Sequence, residues 1–146
     1  MMYIVFYFVY IIGTMNDIDR SVDSFDFAMR RRFRFVELRA DERLEMLASL
    51  ENEELEAEAI RRMTALNKEI AAVEDLNENY QIGASYFLKL KTLDFDQLWT
   101  DYLHPLLQEY IHGMYDEDGI MKRFAKAYGY QNPSRGDVNE AAQDQG

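Results

Sequence analysis

The chain has 146 residues and a formal net charge of −11, and hydrophobic residues make up 48% of it. This length predicts one domain or two small ones, and the apolar content excludes a wholly disordered chain. The chain has no cysteine, which excludes a disulfide scaffold and a cysteine nucleophile. It has only two histidines, His104 and His112, so no metal site is predicted.

The chain begins with an unbroken apolar run, Met1–Ile12, which stops at Gly13. Its Tyr, Phe, Val and Ile residues favour a strand, and the lack of polar alternation predicts that both faces are buried, as in a parallel sheet. A membrane-associated segment is the alternative. The run is short for a transmembrane helix, which needs about 20 residues, and it lacks the basic region and cleavage site of a secretory signal.

A polar turn at Thr14–Asp17 follows this strand. Ser21–Arg32 is predicted to be a helix, because it places acidic residues near its start and arginines at its end, in the order that suits the helix dipole. Phe33–Leu38 is predicted to be a second, short strand. A buried strand needs more hydrogen-bonding neighbours than one other strand can supply, so we expect this part to belong to something larger.

The remainder of the chain is predicted to be helical and then polar. The expected helices cover Asp41–Leu50, Leu55–Leu76, Ser85–Leu90, Phe95–Ile111 and Ile120–Tyr128. Pro105 should kink the fourth of these helices or split it in two. The predicted domains are therefore an α/β fragment over residues 1–40, a helical bundle over 41–130 and a frayed tail over 131–146.

The turn after the first strand is the first candidate for chemistry, because open α/β sheets bind ligands at the carboxyl ends of their strands. The Asn16 amide can hold a water or a phosphate oxygen, and Asp19 can orient a nucleophilic water or pair with Arg20. The alternative is an Asx turn that caps the next helix.

The arginine run Arg30–Arg32 is the second candidate, and it lies in a basic segment. From Arg20 to Arg39, six arginines against three acids give a net charge of +3, whereas Asp41–Leu76 carries −7. The guanidinium groups either complement the helix dipole as solvated side chains or recognise phosphate. An arginine inserted from a neighbouring subunit can accelerate phosphoryl transfer by about 10³–10⁵-fold.

Four stretches together resemble the McrB-type AAA+ GTPases, the motor subunits of modified-cytosine restriction systems. The stretches are Tyr10–Ser21, Phe27–Phe33, Gln81–Phe87 and Pro105–Tyr110, and their order and rough spacing are those of the family. The resemblance covers roughly Tyr10–Tyr128. It implies the C-terminal part of a AAA+ P-loop NTPase module, in which an α/β fragment is followed by an all-helical lid that closes over the nucleotide base.

The resemblance also implies roles for individual residues. Asn16 matches the first-sensor asparagine, which contacts the nucleotide and helps to place the attacking water near the γ-phosphate. Asp19 and Arg20 match the family signature at the face where nucleotide, neighbouring subunit and McrC-like partner meet. Arg31 and Arg32 match the arginines that act on nucleotide across the subunit interface, and Arg31 is the stronger candidate.

GTP or ATP with Mg²⁺ is the cofactor that the resemblance implies. The implied partners are other AAA+ subunits in a ring and a McrC-like nuclease subunit, with DNA reached only indirectly. The absence of cysteine favours a cytoplasmic location, and no membrane attachment is expected.

The chain departs from the family at three places. It has no Gly-x-x-x-x-Gly-Lys-Ser/Thr loop to cradle phosphates and no hydrophobic run ending in Asp-Glu to hold Mg²⁺, and Ala84 stands where the family motif has a histidine. We therefore expect a truncated or split NTPase that neither binds nucleotide tightly nor hydrolyses it alone. A non-catalytic module that docks on a AAA+ ring or another partner is the alternative, and a small membrane-anchored protein is a third hypothesis.

Overall fold

The structure, a computed structural model, describes residues 9–14, 31–40 and 42–131. The chain divides into two compact units, Met1–Phe35 and Val36–Gly146. The boundaries predicted at residues 40 and 130 stay predictions.

The two predicted strands are not formed where the structure describes them. Residues 9–14 have no regular secondary structure, and residues 33–38 contain no strand. The prediction of a buried strand is therefore wrong for Val9–Ile12, and the prediction of a short strand is wrong for Phe33–Leu38. Both segments are exposed. The physical reason is that a strand is held by hydrogen bonds from its neighbours, and a two-stranded sheet without further layers is at best marginally stable. Residues 21–30 of the predicted basic helix lie outside the described residues, and Arg31 and Arg32 lie in a turn.

The second unit is built from helices and short connections between Leu44 and Tyr128. It opens with a 3₁₀ helix, Leu44–Leu50, and continues with α1 (Glu53–Ala71), α2 (Ala84–Phe87), α3 (Phe95–Leu98), α4 (His104–Tyr110) and α5 (Glu117–Tyr128). Shorter 3₁₀ turns occupy Glu78–Tyr80 and Leu88–Lys91. Asn52 defines the start of α1, because its side chain accepts a hydrogen bond from the Leu55 N–H at 3.0 Å.

A π-helical segment, Trp99–Leu103, joins α3 to α4. At its end the N–H of His104 donates to the carbonyl of Trp99, five residues earlier. Pro105 lacks an N–H, and its ring crowds the carbonyl four residues before it. A wider π turn relieves this crowding and lets the helix continue. The interruption predicted at Pro105 therefore takes the form of a π segment that separates two short α-helices.

The core of the second unit lies between α1 and the later helices, with α1 packed against α5. The helix α1 buries Ala59, Met63, Leu66 and Ile70, which recur every three or four residues along one face. The Trp99 ring is 1% exposed and stacks on the Tyr128 ring with centroids 5.0 Å apart. The largest fully buried side chains besides these are Phe87 and Phe124.

Gly129 ends α5 in the left-handed conformation, with φ 84°, and its N–H donates to the Ala125 carbonyl at 3.0 Å. Since an L-residue in that conformation costs about 1–2 kcal/mol, we expect Gly129→Ala to lower the free energy of unfolding by about 1 kcal/mol or more in urea titrations. The control is Gly83→Ala, because Gly83 has φ −82° and only the Ser85 Oγ lies within 4 Å of its added Cβ. Equal losses in the two variants would contradict this interpretation.

Candidate functional site

The predicted nucleotide-contacting residues are only partly described. Asn16, Asp19 and Arg20 lie outside the described residues, so their roles stay predictions. Arg31 and Arg32 are described: both are exposed and both lie in a turn. Their guanidinium groups are therefore open to solvent, as contact with a second molecule requires.

The Gln81–Phe87 motif is fixed to α1 by one buried side chain, Asn67. The Asn67 Nδ2 donates to the Ile82 carbonyl at 2.9 Å, and the Asn67 Oδ1 accepts from the Ile82 N–H at 2.7 Å. Asn67 is 7% exposed and Ile82 is 1% exposed, so water could not replace either bond without local opening. This pair of bonds sets where the motif enters α2.

Ala84, the residue that stands in place of the family histidine, is 2% exposed. Its side chain belongs to the core of the helical unit, whereas its neighbour Ser85 is exposed. Near the motif, the Tyr80 and Tyr110 rings meet edge to face with centroids 5.1 Å apart. Burial raises the pKa of Tyr110 to about 12, so this phenol stays protonated at neutral pH.

A charged and aromatic cluster links the first turns of α1 to α3 and to the end of α5. The Glu58 Oε1 accepts from the Arg62 Nε and the Arg61 Nη2, both at 2.7 Å. The Arg62 guanidinium lies over the Phe95 ring at 4.2 Å from its centroid, and the Tyr128 hydroxyl donates to the Phe95 carbonyl at 2.8 Å. These contacts stabilise the packing of α1 against α5 and engage the Glu58 carboxylate in hydrogen bonds within its own helix.

The hydrogen bonds from Arg61 and Arg62 lower the pKa of Glu58 from 4.5 to about 2. A carboxyl whose folded-state pKa is depressed stabilises the protein above its unfolded pKa, and this stabilisation is lost as the pH falls from 4.5 towards 2. We expect Glu58→Gln to flatten the pH dependence of the free energy of unfolding in that window. Glu54→Gln, an exposed position on the same helix, is the control, and an unchanged slope in Glu58→Gln would count against the ion pair.

The two histidines make separate local contacts. The His104 ring meets the Trp99 ring at 6.0 Å, and the His112 Nδ1 lies 3.9 Å from the Glu117 Oε1. In the part of the chain that the structure describes, no group of three or more His, Cys, Asp or Glu side chains could hold a metal ion. Over the same residues, no helix has both the length and the apolar character needed to cross a membrane.

The family model described as the McrB alpha-helical lid domain matches residues 58–118. Residues 58–118 are thus similar to the McrB lid domain. The match runs from the first turns of α1 into the first turn of α5 and so includes the Asn67–Ile82 anchor and the π segment. The resemblance to McrB-type proteins is thereby confirmed, as is the helical lid.

One curated relative extends the likeness beyond the McrB lid. The "Type IV methyl-directed restriction enzyme EcoKMcrB subunit" of Escherichia coli strain K12 is 32% identical over an alignment of 115 residues, and the alignment covers 70% of this chain and 25% of that protein. The chain therefore spans only about a quarter of the length of this McrB relative. No solved structure matches the chain.

Sequence reasoning missed two structurally important residues of the helical unit. Asn67 lies in the apolar stripe of α1, where a polar residue signals a buried hydrogen bond. Glu58 lies in the acidic run Glu51–Glu58, which by itself indicates a solvated helix face. Its spacing of three and four residues from Arg61 and Arg62 was the available signal for an ion pair.

Proposed function

We propose that this chain is the lid-bearing part of a McrB-type nucleoside triphosphatase whose nucleotide turnover serves DNA restriction. The observation that carries the proposal is that the McrB lid match falls on a helical unit with its own buried core. In this proposal the lid closes over the base of GTP or ATP. A lid that closes on bound ligand slows its release and excludes water from it.

We also propose that Arg31 and Arg32 reach the nucleotide of a neighbouring subunit. Their exposure supports this role, since a guanidinium that acts on another molecule must be accessible. A guanidinium fork matches the oxygens of a phosphoryl group. For Asn16, Asp19 and Arg20, support comes from the sequence motif alone: Asn16 would hold the attacking water, and Asp19 and Arg20 would lie at the nucleotide face.

The phosphates and Mg²⁺ need residues that this sequence does not contain, because it has no glycine-rich phosphate loop. The proposed function therefore assigns the phosphate loop and the metal ligands to another polypeptide segment. The proposed partners are further AAA+ subunits in a ring and a McrC-like nuclease subunit in the cytoplasm, with DNA reached through those partners.

A chimeric protein tests the proposed lid function. In the Escherichia coli relative, the segment that aligns with this chain is replaced by the corresponding segment of this chain, and release of fluorescent GTP and ATP analogues is followed by stopped flow. We expect release to be about tenfold slower from the chimera than from the relative with that segment deleted. If the chimera and the deleted relative released each nucleotide at the same rate, the result would contradict lid function.

A non-catalytic docking module is the second candidate function. The observation that favours it is the exposure of the apolar side chains of Val9–Ile12. In that case the chimera would release nucleotide as fast as the deleted relative and would still associate with a partner.

A further inference from the structure

One ion pair joins two parts of the helical unit that are far apart in sequence. The Arg39 Nη2 lies 2.9 Å from the Glu78 Oε2, and both residues belong to the second unit. The Arg43–Glu45 pair, by contrast, joins residues two positions apart. A local pair acts within its own turn, whereas a pair between distant stretches carries a change in one stretch to the other.

The two stretches that this pair joins lie at different places along the chain. Arg39 belongs to the connecting segment, Val36–Ala40, which contains no helix or strand. Glu78 begins the 3₁₀ turn Glu78–Tyr80, and the Gln81–Phe87 motif follows this turn directly. The ion pair therefore fastens the chain in front of the motif to the connecting segment.

The stretch from Glu78 to Ile82 is held at both ends, but only one end is exposed. At the Ile82 end, the two hydrogen bonds to Asn67 are buried, so opening them leaves polar groups without partners. At the other end, the Arg39 and Glu78 side chains are 41% and 64% exposed. An exposed ion pair changes an equilibrium by about fivefold or less, because water replaces it at little cost. The Glu78 end is therefore the end that opens while the fold persists.

We propose that the Arg39–Glu78 pair is a latch that couples the Gln81–Phe87 motif to the connecting segment Val36–Ala40, with the Asn67–Ile82 anchor as its pivot. The closed latch makes the two stretches move together. The open latch lets each stretch move without the other.

Coupling of this kind would serve the proposed function. The connecting segment follows Arg31 and Arg32 in the chain, and the motif belongs to the lid. A nucleotide that displaces the motif would therefore change the restraint on the chain that follows the two arginines. The inference rests on the proposed function for this use only, because the latch itself requires no nucleotide.

Charge reversal in the full chain, followed by ¹⁵N relaxation, tests the latch. Glu78→Arg places two arginines face to face and should lower the amide order parameters of the connecting segment from about 0.8 to about 0.6 or less. Arg39→Glu should lower those of the turn Glu78–Tyr80, because a coupling acts in both directions. The double variant restores an opposite-charge pair and should return both sets of values. Unchanged order parameters in the single variants, or no recovery in the double variant, would overturn the proposal.

The Arg43–Glu45 pair provides the matched control. Its side chains are also exposed, at 61% and 68%, but they join neighbouring residues. Arg43→Glu and Glu45→Arg should leave the order parameters of the turn Glu78–Tyr80 unchanged. Salt at about 1 M should loosen this turn in the parent chain, because it screens the pair. Equal effects of the control variants, or no response to salt, would overturn the assignment to Arg39 and Glu78.

The chimera tests the use of the latch separately from its existence. Each single reversal at Arg39 or Glu78 should change the rate of nucleotide release by about two- to fivefold, and the double variant should restore it. No change in release would overturn the coupling to the nucleotide site. A chimera that releases nucleotide as fast as the deleted relative would count against the proposed function, and relaxation of this chain alone would still decide whether the latch exists.

Discussion

Replacing Arg31 by alanine in the chimera should lower the rate of nucleotide hydrolysis by about 10³–10⁵-fold, the effect of removing an arginine that stabilises charge on the transferring phosphoryl group. The structure leaves the Arg31 side chain exposed in a turn, where a neighbouring nucleotide could reach it. Binding of nucleotide to the variant should change little, because the charge that this arginine meets develops in the transition state. Single-turnover measurements separate these two effects.

Arg34→Ala is the matched control for Arg31. Arg34 is also exposed and belongs to the same unit, but it matches no arginine of the family motif. A comparable loss of rate in Arg34→Ala would indicate a general effect of positive charge. An Arg31→Ala chimera that retains the full rate would exclude Arg31 from the reaction, and Arg32→Ala would then be the variant to measure.

Replacing Asn67 by leucine should give the largest loss of stability among single substitutions in the polar residues of the helical unit. The variant leaves both backbone groups of Ile82 buried without partners, and each such group costs about 1–3 kcal/mol. We therefore expect the free energy of unfolding to fall by about 2–4 kcal/mol, measured by urea titration with circular dichroism. Asn67→Asp should also destabilise, because it keeps the acceptor for the Ile82 N–H but loses the donor to the Ile82 carbonyl.

Asn77→Ala is the control for the asparagine substitution. The Asn77 side chain accepts from the Asn79 N–H at 2.9 Å in an exposed turn, so its loss should cost about 1 kcal/mol or less. An Asn67→Leu variant as stable as the parent would mean that the Gln81–Phe87 motif is not held by this side chain.

The helical unit could be predicted from the sequence because its signals are local. Apolar residues such as Met63, Leu66 and Ile70 recur at helical spacing, and Pro105 marks the interruption between α3 and α4. The form of that interruption, a π segment, depends on how the chain satisfies its carbonyl groups around a proline and could not be read from spacing. The Asn67–Ile82 anchor joins residues fifteen positions apart, which no local pattern specifies.

The first unit was harder to predict because strands depend on partners. Val9–Ile12 has the composition of a buried strand, but composition does not provide the neighbouring strands that would bury it. The candidate site also depends on residues outside this sequence, so it could be predicted only in part. Arg31 and Arg32 were found from a motif, and their exposure agrees with action on a second molecule, but the nucleotide they would act on requires a phosphate loop that is not in this sequence.

Hydrolysis of GTP and ATP by the chimera tests whether this chain is the lid-bearing part of a nucleoside triphosphatase. The parent Escherichia coli relative and the version with the aligned segment deleted are assayed beside it with Mg²⁺. We predict that the chimera hydrolyses at least one of the two nucleotides, that the deleted version does not, and that this chain alone does not. A chimera as inactive as the deleted version, though folded and able to bind nucleotide, would contradict the claim that this chain is the lid-bearing part of a McrB-type nucleoside triphosphatase.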